Sequence, residues 1–287
     1  MIEKRIGELA ARPVSAVAEV AGRGYTPAKR LLVTFEDGST AFAKVAVNES
    51  TAEWLAVEHV VYSQVEGAFL PRFVGYDDTK PALLLLEDLS EAHWPPPWPD
   101  GSVAAVLGAL ENIAATWPPH GVPSVDIYRE ELGEGWALVE QDPGPFLSYE
   151  LCSREWLAEA LPTLLEAARA APIEGESLLH FDVRSDNLAL QGDRAVLVDW
   201  NWACIGNPVL DRATWAPSLH VEGGPPPEEL VPECPPGFPA MLAGFWALRV
   251  GLPPPDGAAP GLRDLQLAQL GVVLPWAVRA LDLPPLG

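Results

Sequence analysis

The stretch from Leu179 to Asp199 constrains this chain more than any other. It reads Leu179-His180-Phe181-Asp182-Val183-Arg184-Ser185-Asp186-Asn187, then two short apolar runs at 188–190 and 195–198, then Asp199 and Trp200. Asn187 follows Asp182 by five residues, and Asp199 follows Asn187 by twelve. An acid, an amide and a second acid therefore come from one loop and the end of one apolar strand. A strand pair set among helical segments also demands a mixed α+β fold rather than a helical bundle.

Upstream of that stretch the chain reads as strands. Residues 16–20, 30–35 and 40–47 have strand character, and Glu36-Asp37-Gly38-Ser39 is a hairpin turn with Asp-Gly at its centre. Gly22 and Gly24 bracket the turn between the first two strands. A helix follows with apolar residues at Trp54, Leu55, Val57 and Val61, and Thr51 as its cap. Two more strands fall at 72–76 and 82–86.

At Glu87-Asp88-Leu89 the character changes. His93-Trp94-Pro95-Pro96-Pro97-Trp98-Pro99 cannot be helix interior. It reads as a rigid connector, the alternative being a polyproline ligand for a recognition domain. Helices are expected at 103–117, 153–171, 238–250 and 262–281, the last kinked or broken at Pro275. The predicted organisation is a small β-rich lobe over 1–89, a Pro/Trp-rich connector over 90–101 and a larger helical lobe over 102–287.

The chain has 287 residues, enough for such a pair of lobes, and a net charge of −22. A surface this acidic repels nucleic acid and anionic lipid and attracts small cations, or serves only solubility. Cys152, Cys204 and Cys234 are odd in number and form no C-x-x-C, as in a reducing cytoplasm. Residues 1–10 lack the apolar run of a signal peptide, and no stretch approaches a membrane span.

Kinase-fold phosphotransferases use the spacing H-x-D-x-x-x-x-N with a following Asp to arrange a catalytic acid and two metal ligands around a phosphoryl group. On that basis Asp182 is the catalytic base or the group that aligns the attacking hydroxyl. Asn187 and Asp199 supply oxygen ligands for Mg²⁺, and His180 is structural. Lys44, on a strand between Ala43 and Val45, contacts phosphates; an exposed strand lysine is the alternative. Its partner is Glu58, chosen over Glu53 because it lies deeper in the helix. Gly22 and Gly24 let backbone N–H groups approach phosphate. An adenine edge would use the carbonyl of Glu87 and the N–H of Leu89, with Leu86 behind the base. No G-x-x-x-x-G-K-[ST] occurs, which disfavours a Walker-type NTPase.

Together these residues resemble the aminoglycoside phosphotransferase and choline kinase-like superfamily, over about residues 16–212. The resemblance implies a bilobal protein-kinase-like fold and transfer of the γ-phosphate of ATP, GTP being possible, to a hydroxyl of a small molecule. That acceptor would be an aminoglycoside-like or other antibiotic; an amino-alcohol, sugar or nucleoside kinase, or an inactive nucleotide-binding scaffold, are the alternatives. It also implies a cytoplasmic monomer or homodimer in which Asp211 braces the catalytic loop. Two residues depart from the commonest pattern. Arg184 stands two residues after the base, where it would steady the base or touch the acceptor. Asp186 replaces a frequent Gly, and is either a ligand for a substrate ammonium or a solvated loop acid. Asp211 follows Asp199 by only twelve residues and no A-P-E follows, leaving no room for a regulated activation loop. Acids within 128–134, 140–142 and 222–229 are candidate acceptor contacts. Trp117, Trp136, Trp202, Trp215 and Trp246 are candidate aromatic walls, the alternative being that most of them are core.

Overall fold

The structure, a computed structural model, describes residues 2–20, 28–254 and 261–286. The first half contains α1 (Ile2–Ala10), β1 (Val14–Glu19), β2 (Lys29–Phe35), β3 (Thr40–Val45), α2 (Glu49–Gln64), β4 (Phe73–Asp77), β5 (Leu83–Leu86) and α3 (Ser102–Ala115). Short helices α4 (Arg129–Gly133), α5 (Gly135–Gln141) and α6 (Gly144–Leu147) lead to α7 (Arg154–Arg169). Then come β6 (Ser177–Leu179), β7 (Leu188–Gln191), β8 (Arg194–Leu197) and β9 (Cys204–Gly206). The chain ends on α8 (Val209–Val221), α9 (Pro227–Leu230), α10 (Gly237–Val250) and α11 (Leu262–Ala280).

Two compact units result. One comprises Met1–Val122 with Ser185–Ala203, the other Pro123–Arg184 with Cys204–Gly287.

The first unit is built on an antiparallel sheet in the order β1-β2-β3-β5-β4. Successive strand residues point to opposite faces. Leu31, Val33 and Phe35, Ala41, Ala43 and Val45, and Leu83 and Leu85 therefore share one face, where they bury with Ile6 of α1. The opposite face receives Arg30, Leu32, Phe42, Lys44 and Leu86. That alternation, and not a special property of Lys44, is what puts its amine on the functional side. Leu83–Leu86 is buried throughout, as a central strand covered on both faces should be.

Helix α1 was not anticipated. Ile2, Ile6 and Leu9 sit at helical spacing and pack on the sheet, and Arg5 donates to Asp77 at 2.6 Å. In α2 the cap is Asn48, not Thr51. Asn48 Oδ1 accepts the Thr51 N–H at 2.9 Å, and Thr51 Oγ1 accepts the Asn48 N–H at 3.0 Å, a reciprocal capping box.

The Pro/Trp segment docks on the β7–β8 ribbon. His93 and Leu190 exchange both backbone hydrogen bonds, at 2.9 and 2.8 Å. Leu89, Ala189 and Val196 form a small core there, with Ala92, Trp94 and Val198 packed against it.

The second unit is helical, with the β6–β9 pair as its only sheet among the described residues. Helix α11 continues through Pro275 without a break. Val273, Leu274, Trp276 and Ala277 around it are buried, so packing outweighs one lost backbone hydrogen bond. Trp136 and Trp215 are fully buried core residues rather than walls of a binding site. The Trp136 Nε1–H donates to the Ala240 carbonyl at 2.8 Å.

Candidate active site

In the first unit a cavity of about 310 Å³ lies against the functional face of the sheet. The sheet contributes Arg30, Phe42, Lys44 and Leu86; the strand-end segment contributes Glu87, Asp88, Leu89 and Ser90. Trp94, Asp186, Asn187, Val198 and Asp199 line it as well, with Val20, Leu32 and Pro71.

Lys44 lines it from β3. Its Nζ donates to Glu58 Oε1 and Oε2 at 2.9 and 3.0 Å and to Asp199 Oδ1 at 2.9 Å. Burial works against the charged amine, but Asp199 and Glu58 outweigh it and hold its pKa above the ordinary lysine value. One cation faces two anions in a dry setting. Burial, with repulsion from Asp199, pushes Glu58 up to about 7 despite the attraction of Lys44. Tyr62, one turn after Glu58, buries its hydroxyl beside Glu58 and Asp199. Burial and the two carboxylates raise its pKa far above that of a free tyrosine.

Asp199 follows β8 in the left-handed region, at φ 69°. An acid tolerates that conformation better than most residues. Asn201, its amide nitrogen turned toward Asp199, donates to the Asp199 carbonyl at 3.0 Å and to Oδ1 at 3.2 Å. Asn187 is buried at the start of β7, and its carbonyl accepts the Val198 N–H at 2.9 Å. The ribbon thus presents Asn187 and Asp199 together at its open end, opposite the turn at 192–193. Asp186, half-buried, lines the same cavity.

Glu87 is fixed by its side chain. The Arg72 N–H donates to Oε2 at 2.9 Å, and Arg194 approaches Oε1 at 3.5 Å while donating to the carbonyls of Ala68 and Leu70. Gly22 and Gly24 lie outside the described residues.

The second unit carries the loop from His180 to Arg184. Asp211, on α8, accepts the His180 and Phe181 N–H groups at 2.9 and 2.7 Å. Burial pushes Asp211 up to about 6 against those two donors. Phe181 is held at φ 64°, its ring stacked on Tyr128 at 5.7 Å. His180 is fully buried, and its Nδ1 accepts the Asp182 N–H at 3.3 Å. Arg184 Nη1 donates to Asp182 Oδ1 at 3.0 Å. Both are about a quarter exposed, at 22% and 25%.

Arg30 and Trp94 are among the cavity residues that escaped the sequence reading. Arg30 pairs directly across from Lys44 in the β2–β3 ladder. Counting back from the Asp37-Gly38 turn would have found it. Trp94 lines the cavity from the segment read as a connector, and no local pattern marks it. The acids offered for the acceptor are partly spent: Glu131 pairs with Arg249, Glu134 with Arg169 and Glu228 with Arg279.

A buried Lys–Glu pair joined to an acid at a strand end, beneath an antiparallel sheet, defines the class of kinase-fold small-molecule phosphotransferases. The chain belongs to the phosphotransferase enzyme family, whose model matches residues 8–229. No curated protein matches it in sequence. Solved structures share its fold at low identity. A spectinomycin phosphotransferase in complex with ADP and spectinomycin is 11% identical with a TM-score of 0.60, 97% of each chain being covered. A choline/ethanolamine kinase family protein from Mesorhizobium loti is 16% identical with a TM-score of 0.57, over 98% of each chain. An aminoglycoside phosphotransferase from Alicyclobacillus acidocaldarius is 16% identical with a TM-score of 0.56, over 92% of this chain and 91% of that one.

Proposed function

We propose that this enzyme moves the γ-phosphate of ATP to a hydroxyl of an amine-bearing small molecule, an aminoglycoside-like antibiotic or an amino-alcohol, in the cytoplasm. The observation that carries the nucleotide half is the Lys44–Glu58–Asp199 cluster at a cavity that Leu32, Phe42, Leu86 and Val198 also line. A base would lie against Leu86 and the Glu87–Leu89 backbone, and phosphates against Lys44.

Lys44, pinned by Glu58, would hold the α- and β-phosphates, with Arg30 beside it. Asn187 and Asp199 offer an amide oxygen and a carboxylate, the hard donors that suit Mg²⁺ shared with substrate phosphates. Mg²⁺ bound there would neutralise phosphate charge. Asp182 would accept a hydrogen bond from the attacking hydroxyl and take its proton as the new P–O bond forms and the bond to the ADP oxygen breaks. Arg184 would orient the Asp182 carboxylate through the 3.0 Å contact. The net charge of −22 supports that acceptor class, as does the likeness in fold to a spectinomycin phosphotransferase and to a choline/ethanolamine kinase family protein.

Asp199→Asn tests the nucleotide half. It keeps shape and tolerance for the left-handed backbone but removes the charge. Calorimetry should show Mg²⁺-dependent ATP binding weakened by about tenfold or more, the effect expected for losing a carboxylate ligand. Unchanged Mg²⁺-dependent binding would place the nucleotide elsewhere.

A further inference from the structure

The carbonyl of Leu89 is already occupied. It accepts the Ala92 N–H at 3.1 Å and the Trp94 Nε1–H at 3.1 Å. Asp88 Oδ1 takes the Ser90 N–H at 2.9 Å, fixing the turn between them. By contrast, the Glu87 carbonyl and the Leu89 N–H have no hydrogen-bond partner among the described residues, and both residues line the cavity. Trp94 lines it too.

We infer that Trp94 makes this site selective for adenine over guanine nucleotides by occupying the one backbone acceptor that a guanine would need. The inference rests on the nucleotide reading of the cavity. Adenine presents a donor, N6–H, beside an acceptor, N1. That order complements the Glu87 carbonyl and the Leu89 N–H. Guanine presents the reverse, O6 beside N1–H. In the adenine position it sets O6 against the Glu87 carbonyl and N1–H against the Leu89 N–H, leaving polar groups facing their like in a desolvated site. Guanine regains a match by moving one contact along. O6 then meets the Leu89 N–H, and N1–H needs the Leu89 carbonyl. That oxygen already accepts two hydrogen bonds, its full capacity, and the indole supplying one of them stands in the cavity wall.

The test compares binding of Mg·ATP, Mg·GTP and Mg·ITP by calorimetry, in wild type and in Trp94→Phe. The variant keeps an aromatic ring but removes the donor, freeing one lone pair of Leu89. ITP carries the O6 and N1–H of guanine without its 2-amino group, so it isolates the edge at issue. In wild type, ATP should bind at least about tenfold tighter than either GTP or ITP. In Trp94→Phe both ratios should fall by about tenfold, the worth of one buried hydrogen bond. Wild-type binding of ITP or GTP as tight as that of ATP overturns the inference, with no variant required. So do unchanged ratios in a variant whose circular dichroism and melting match wild type. In both of those outcomes ATP binding survives, so the nucleotide reading stands. Binding of none of the three by wild type overturns that reading together with the inference.

Discussion

Lys44 keeps its proton because two carboxylates outweigh the cost of burying it, and Glu58 bears the imbalance. With its pKa pushed up to about 7 from an ordinary 4.5, folded Glu58 holds a proton more tightly than the unfolded chain does. That part of the stability is complete below pH 4.5 and is lost as pH climbs through about 7. Asp211, raised to about 6, adds to the same slope. Denaturant unfolding should therefore show stability falling between pH 4.5 and 7. Glu58→Gln should flatten that fall by up to about 3 kcal/mol. An identical slope in wild type and variant would show that Glu58 is not the group titrating.

The elements owe their placement to short-range rules, and α2 gives a clean test. Asn48→Ala removes an acceptor from the capping box and should cost about 1 kcal/mol, whereas Thr51→Ser, which keeps the hydroxyl, should cost far less. Urea unfolding distinguishes them, and equal losses would deny the box its role. Much of the sheet was legible because its physics is local. Period-2 alternation and the Asp37-Gly38 turn predicted the β2–β3 hairpin; the register that pairs Arg30 with Lys44 follows from that turn. The choice of Glu58 over Glu53 followed from depth along α2. What escaped was non-local. Helix α1 is amphipathic, but its pattern gains meaning only once the sheet face it covers is known. Pro275 is a breaker by local rule, and packing around α11 overrides it. The docking of His93 on Leu190 and the indole contact to Leu89 depend on tertiary folding, which no spacing encodes.

The charge of the molecule bears on its acceptor. The net −22 was readable at once, but its distribution was not, since Glu131, Glu134 and Glu228 are each paired with an arginine. Long-range steering survives such pairing, because it depends on the summed field. For a cationic acceptor kcat/KM should fall as salt rises from about 0.01 to about 0.3 M, through the range in which the Debye length shrinks from about 30 Å to below about 8 Å. For a neutral acceptor the series should be flat, and a flat series with an amine-bearing acceptor would remove steering from the explanation. Phosphoryl transfer itself is best judged by product. Wild type and Asp182→Asn would be incubated with Mg·ATP and a panel of hydroxylated amines, with phosphorylated product measured by mass spectrometry. Wild type should phosphorylate a small-molecule hydroxyl. Asp182→Asn should lower kcat by about 10²–10⁴, the loss expected for a general base, while Mg·ATP affinity stays within a few fold. Equal turnover in the two proteins would contradict the assignment of Asp182, and transfer only to protein side chains would contradict the proposed acceptor class.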